Sequence, residues 1–308
     1  MRHRYLIRIL ALMAAGACFA AAPVTEITVH GDRPFPESVT SIADGTIFAG
    51  SVAQHMIYKA APGSATAEPW VKPDTNGLQS VLGVLADEES NTLWACSTNM
   101  SGQGEPTALK AFDLTTGAPK GSYPFPGTKS VCNDIAIGPD GTTYVTDTGN
   151  PRILRLKPGA SALEVWTTDD RFDSLDGIAF GDNVTLYVNT VQTGHLFRIR
   201  LGRDGSAEKA TQLELSAKLD RPDGMRSNGV NQLLLVEGAG RLDRVTFDGD
   251  TAKIEVLKDG YNGSTAVTRV GDTAWVLEAK LNYMMDPKLK DQDPGLFKIY
   301  AVSLKGKR

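Results

Sequence analysis

From Glu37 onward the chain repeats one pattern of apolar and polar positions. A short apolar run meets a polar turn, read successively as "ADG", "DEESN", "GPDG", "GDN", "SNGVN" and "VGD". A second apolar run follows each turn: "GTIFAGS" at Phe48, "NTLWACS" at Trp94, "TTYVTDT" at Tyr144, "VTLYVNT" at Tyr187, "NQLLLVE" at Leu235 and "DTAWVLE" at Trp275. These landmarks are 40 to 50 residues apart. A third run comes after a longer polar stretch ("MIYKA", "ILRLKPG", "HLFRIRL", "LFKIYAV"), and often a fourth ("LEVWTT", "KIEVLK"). Short apolar runs bounded by Gly, Asn and Asp read as strands joined by tight turns. Four such strands per unit, at a period in the forties, are what a β-propeller produces. The expected fold class is all-β, a six-bladed β-propeller. Its last blade would be closed by the N-terminal strand "VTEITVH" from Val24, lying beside "LFKIYAVSL" from Leu296.

The first residues break this pattern. "MRHRYLIRILALMAAGACFA" carries Arg2, Arg4 and Arg8, then an apolar run, then small residues, the layout of a secretory signal cleaved after Ala20. The apolar run falls short of the roughly 20 residues that span a bilayer. Cys18 lacks the large aliphatic residue at Ala15 that a lipid-attachment signal carries, which argues against a lipoprotein. The expected organisation is a signal at 1–20 and one propeller domain at 21–308, in a periplasmic or secreted protein. Export leaves Cys96 and Cys132, which can pair or stand as two small buried thiols. A net charge of -4 gives no basic face for nucleic acid, so no nucleic-acid partner is expected.

The repeat also makes a site. In a propeller the innermost strands of all blades start at one rim of a central channel. Counting back about eleven positions from each second-strand landmark reaches Glu37, Leu82, Asn133, Asp176, Asp223 and Ser264. Four of these carry carboxylate or carboxamide oxygens. Asp-Gly before a strand is ordinary turn chemistry, but a turn requirement would hold in every blade, and Leu82 and Ser264 do not follow it. Three carboxylates in one poorly hydrated mouth repel each other unless a cation neutralises them. An all-oxygen set without His or Cys suits a hard divalent ion, Ca²⁺ first, with Mn²⁺, Mg²⁺ or Zn²⁺ as alternatives. Glu37, Asn133, Asp176 and Asp223 are the expected metal ligands.

The set "PES", "CND", "LDG" and "RPDGM", one per unit and in this order, resembles the gluconolactonase/regucalcin (senescence marker protein) family of six-bladed propellers. The similarity runs over the whole mature chain and is best in "NDIAIGPDGTTYVTD" and "RPDGM". The resemblance implies a divalent metal held by Glu37, Asn133, Asp176 and Asp223, with Asp223 also shuttling a proton as the catalytic acid–base. Two departures stand out. Asp176 replaces the family's usual Asn and adds a negative charge. Val131 stands where the family's sugar lactonases carry Arg, removing a multidentate donor for a polyhydroxylated lactone. That withdraws support from gluconolactone itself and leaves lactone or ester hydrolysis open.

Other candidates surround this set. His55 and His195 hold equivalent repeat positions on loops of the same face and could contact substrate or serve as a base. Asn150, Glu237 and Glu278 end second strands there. Tyr283, with Asn282 and Met284, lies on a long loop that could cover the mouth. No G-x-S-x-G elbow or phosphate-binding glycine loop is present. The expected function is an exported, divalent-metal-dependent hydrolase of a lactone or related ester, with a metal-activated water and Asp223 as general base. The alternative is a non-enzymatic propeller whose cation is structural and whose open face binds a small ligand or a protein.

Overall fold

Each polar turn of the repeat closes a hairpin in the computed structural model, which describes residues 23–305; the signal expected at 1–20 lies outside the described residues. The strands form five hydrogen-bonded sheets. Within them, strands follow chain order outward from an inner strand: Ser80–Asp87 leads one group, Cys132–Ile137 the next, then Leu175–Phe180 and Pro222–Ser227. The fifth sheet has eight strands and consists of two groups joined edge to edge. One group starts at Pro36–Ser41, and the other at Ser264–Val270. Inner strands from successive groups pack side by side, and Ser264–Val270 returns against Pro36–Ser41. The helical content among the described residues is slight: a short turn at Thr75–Gly77 and a four-residue helix at Asn282–Met285.

The N-terminal strand Glu26–Val29 pairs antiparallel with Phe297–Ser303, Glu26 opposite Tyr300 and Val29 opposite Phe297. Its other edge pairs in parallel with Thr66–Val71 through Thr28 and Val29. Ile27 and Val29 are thereby buried against Phe297, Ile299 and Phe35. Both edges of the strand are paired, so the last group presents no open edge there.

The aromatic landmarks of the repeat fill the space between sheets. Phe48 packs on Trp70 with ring centroids 5.0 Å apart, Tyr144 on Trp166 at 4.8 Å, and Tyr187 stacks on Phe247 of the following sheet at 3.7 Å. Cys96 and Cys132 form a disulfide, Cα atoms 5.1 Å apart, between the second strand of one sheet and the inner strand of the next. In the chain-entropy view, closing a loop of this length is worth about 4 kcal/mol.

All six inner strands slip register against their second strands near the rim. The residues left unpaired are Glu37; Leu82 and Gly83; Asn133 and Asp134; Asp176 and Gly177; Asp223 and Gly224; and Thr265. A β-bulge frees a side chain from the pleat and re-aims it. Here the bulges bring Glu37, Asn133, Asp134, Asp176, Asp223 and Thr265 to the axis, while Leu82 packs instead with Cys96 and Cys132. The reading from sequence had put Ser264 in this ring. In the structure Ser264 pairs with Glu278, its hydroxyl donates to the Glu237 carbonyl at 2.8 Å, and Thr265 takes the axial position.

Candidate active site

The glycine of Asp-Gly is set by crowding at the axis. A Cβ on Gly177 would lie 2.3 Å from the Asp223 carbonyl oxygen, and one on Gly83 would lie 2.1 Å from that of Asn133. Only a bare backbone lets neighbouring inner strands approach this closely. Asp134 occupies the corresponding place in its own strand and turns its carboxylate into the channel.

Glu37, Asn133, Asp176 and Asp223 line one narrow axial crevice, too tight to admit a water-sized sphere, together with Asp134 and Thr265. Glu37, Asn133 and Asp176 are buried, while Asp223 is half-buried. The Asn133 amide donates to Asp176 Oδ2 at 3.2 Å and to Thr148 Oγ1 at 2.9 Å. The Asp176 and Asp223 carboxyls are neighbours in this crevice. Asp223 Oδ1 accepts from the Gly224 amide at 2.9 Å, and the Thr265 hydroxyl donates to the Glu37 carbonyl at 2.5 Å. Deeper along the axis, Arg226 Nη1 reaches both carboxylate oxygens of Asp134.

This crowding of acids shows in their ionisation. Burial, and then the Asp134 charge, push Asp176 up to about 7. Burial raises Glu37 well above the usual carboxylate range, aided by Asp176 and Asp134 and opposed by Arg226. Burial and the charges of Asp176 and Glu37 do the same to Asp223. Asp176 Oδ1 is buried without a hydrogen-bond partner. An orphaned carboxylate oxygen among mutually repelling acids is the donor chemistry that a hard cation satisfies. As positioned, however, no group of three or more His, Cys, Asp or Glu side chains among the described residues stands close enough to hold a metal ion.

The remaining sequence candidates lie elsewhere. His55 is exposed, with Nε2 3.5 Å from Ser80 Oγ, and His195 is half-exposed at the start of its strand beside Phe197. Neither lines the axial crevice. Asn150 donates to Asp147 Oδ2 at 3.0 Å, in a cluster with Arg152. Glu237 is buried within its own sheet, where it accepts from the Asp220 amide and from Arg241. Tyr283 packs on the core between the first and last groups of strands, and Arg33 holds its carbonyl. From the same loop, Leu281, Asn282 and Met285 line an open pocket of about 450 Å³ whose floor includes Asp223. Two larger surface grooves, of about 620 and 640 Å³, lie at the turns between first and second strands, the far end of the inner strands, and contain no ring residue.

Asp134, Arg226, Thr265 and Arg221 were not singled out from the sequence. Asp134 carried a signal, an acid where other units place glycine. Arg226 carried a weaker one, a cation inside an inner strand.

No family model matches the chain, and no curated protein is significantly similar to it in sequence. Solved structures are similar in fold. A calcium-binding regucalcin from Agrobacterium tumefaciens superposes with a TM-score of 0.65 at 17% identity, over 91% of this chain and 97% of that one. A luciferin-regenerating enzyme gives 0.64 at 13% identity, over 92% and 94%. A gluconolactonase from Xanthomonas campestris gives 0.63 at 16% identity, over 87% and 86%. This chain has the propeller fold of the gluconolactonase and regucalcin proteins. At such identities the likeness concerns the fold, which hosts more than one activity.

Proposed function

We propose that this chain is an exported, divalent-cation-dependent hydrolase of lactones or related esters, built on a propeller of six blades. The count of six rests on the six inner strands and their matching bulges. Export is supported by the Cys96–Cys132 disulfide, which suits an oxidising compartment. The observation that carries the reading is the position of Asp223. Of the four proposed ligands, it alone lines both the narrow acid crevice and the open pocket.

Glu37, Asn133, Asp176 and Asp223 would hold the cation, with Ca²⁺ favoured by an all-oxygen set. Bound there, a divalent ion supplies Lewis acidity toward a carbonyl oxygen and a lowered pKa for water. Asn133 orients Asp176 through its amide. Ionised Asp223 accepts a proton from water as the water oxygen adds to the ester carbon. The carbon–oxygen bond then breaks, and the departing alkoxide takes the proton back. A second reading is a cation-stabilised propeller that binds a ligand without turning it over, for which the open pocket beside Asp223 would serve equally.

The test is a panel of aliphatic, aromatic and sugar lactones, assayed with chelator and then with Ca²⁺ or Mn²⁺. Cation-dependent ring opening of at least one class is expected. No turnover across the panel, with cation binding intact, would favour the binding protein.

A further inference from the structure

The geometry points to a substrate-selecting pocket beside Asp223, and we propose that it takes lactones or esters whose apolar body ends in a carboxylate read by Arg221. The inference rests on the hydrolase reading for the fate of the ligand, and on the pocket alone for its identity.

The open pocket carries Asp223 in its lining, whereas the larger surface grooves do not. Its walls are apolar where Val191, Leu281 and Met285 stand, and Met285 is 63% exposed despite its chemistry. An exposed methionine at a pocket mouth offers an adaptable apolar contact. Among the lining residues Arg221 is the only cation and Asp223 the only acid. Other cations nearby are already committed: Lys280 donates to the Pro294 and Leu296 carbonyls, and Arg241 to Glu237. The side chain of Arg221 is 61% exposed and has one long contact, 3.4 Å to Asp220. Most of its five donors are therefore free for a planar anion.

The backbone holds Arg221 in place. Its φ of 57° is left-handed, and its carbonyl accepts from the Gly238 amide at 2.7 Å. The opposite wall is fixed too, because Arg33 donates to the Tyr283, Lys290 and Gln292 carbonyls of the covering loop. A carboxylate next to Asp223 would be repelled, so the ligand orients with its ester toward Asp223 and its charge toward Arg221.

The test uses the mature chain and calorimetric titration with two probes: a cyclic ketone bearing an alkyl carboxylate, and the matching neutral amide. The carboxylate is expected to bind about tenfold tighter, the worth of a charge-assisted hydrogen bond partly open to water. Arg221→Asn, which tolerates the left-handed backbone, should erase that preference. Met285→Glu, at an exposed position, should weaken the carboxylate more than the amide. Equal affinity for both probes, no binding of either, or a preference that survives Arg221→Asn overturns the inference. A preference with no turnover of the corresponding lactone leaves the pocket standing and removes the hydrolase. Turnover with no preference does the reverse.

Discussion

Arg226 and Asp134 meet across the axis: Arg226 Nη1 bonds both Asp134 oxygens, at 3.0 and 2.9 Å, from strands 92 residues apart. The same guanidinium donates to the Val84 and Met225 carbonyls, and Asp134 accepts from the Ile178 amide. Four inner strands are thus tied to one ion pair below the acid crevice.

Removing one partner leaves the other charge largely cut off from water. Arg226→Met should therefore destabilise by about 3–5 kcal/mol, and the double variant with Asp134→Leu by clearly less. Urea unfolding of the three proteins checks this. Single and double variants of equal stability would mean that the pair is solvated.

How much of this was legible in the sequence depended on periodicity. The spacing of Phe48, Trp94, Tyr144, Tyr187, Leu235 and Trp275 gave the strand groups, because each group buries an aromatic or aliphatic residue at the same place. It also gave Glu37, Asn133, Asp176 and Asp223, since equal positions in equal units share a rim. It missed Thr265 by one residue. The bulge length varies, leaving one residue unpaired at Glu37 and Thr265 but two at the other four strands. The Asp134–Arg226 pair was invisible because a contact across the axis has no fixed sequence separation. His55 and His195 match in the repeat, yet equivalence in a loop does not bring a side chain to the axis.

Stability of the chelated protein should fall as pH rises. Asp176 titrates at about 7 in the fold against 3.8 for its ordinary value. Between those values the folded state binds the extra proton, so the contribution is complete below about 4 and lost as pH rises through 7. The thermal midpoint in chelator should therefore drop from pH 5 to pH 8, and millimolar Ca²⁺ should restore it at pH 8. Asp176→Asn, a neutral isostere, should shrink the drop, with Glu37 and Asp223 carrying what remains. A chelated wild type with the same midpoint at both pH values would contradict the acid cluster.

Deleting residues 24–29 removes the strand that pairs with both Phe297–Ser303 and Thr66–Val71. It also strips Ile27 and Val29 from the core, each worth about 1.5–3 kcal/mol when fully buried, and opens two edges to association. The truncated chain should melt well below the intact one and aggregate on heating, as scanning calorimetry with light scattering would reveal. Identical melting would mean that the ring does not depend on this strand.

Asp223→Asn separates catalysis from cation binding. The substitution keeps an oxygen in place and the side chain's size, but removes the carboxylate that accepts a proton. Glu37→Gln provides the contrast, because Glu37 lines the narrow crevice and not the open pocket. If Asp223 is the general base, Asp223→Asn should retain much of the cation-induced rise in melting temperature yet lose about 10²–10⁴-fold in kcat, the usual worth of a positioned base. Glu37→Gln should lose cation affinity first, with kcat recovering at saturating cation. Two variants that lose turnover only in proportion to cation binding would make Asp223 a ligand alone. The base would then have to be sought outside the open pocket, whose lining holds no other acid and no histidine.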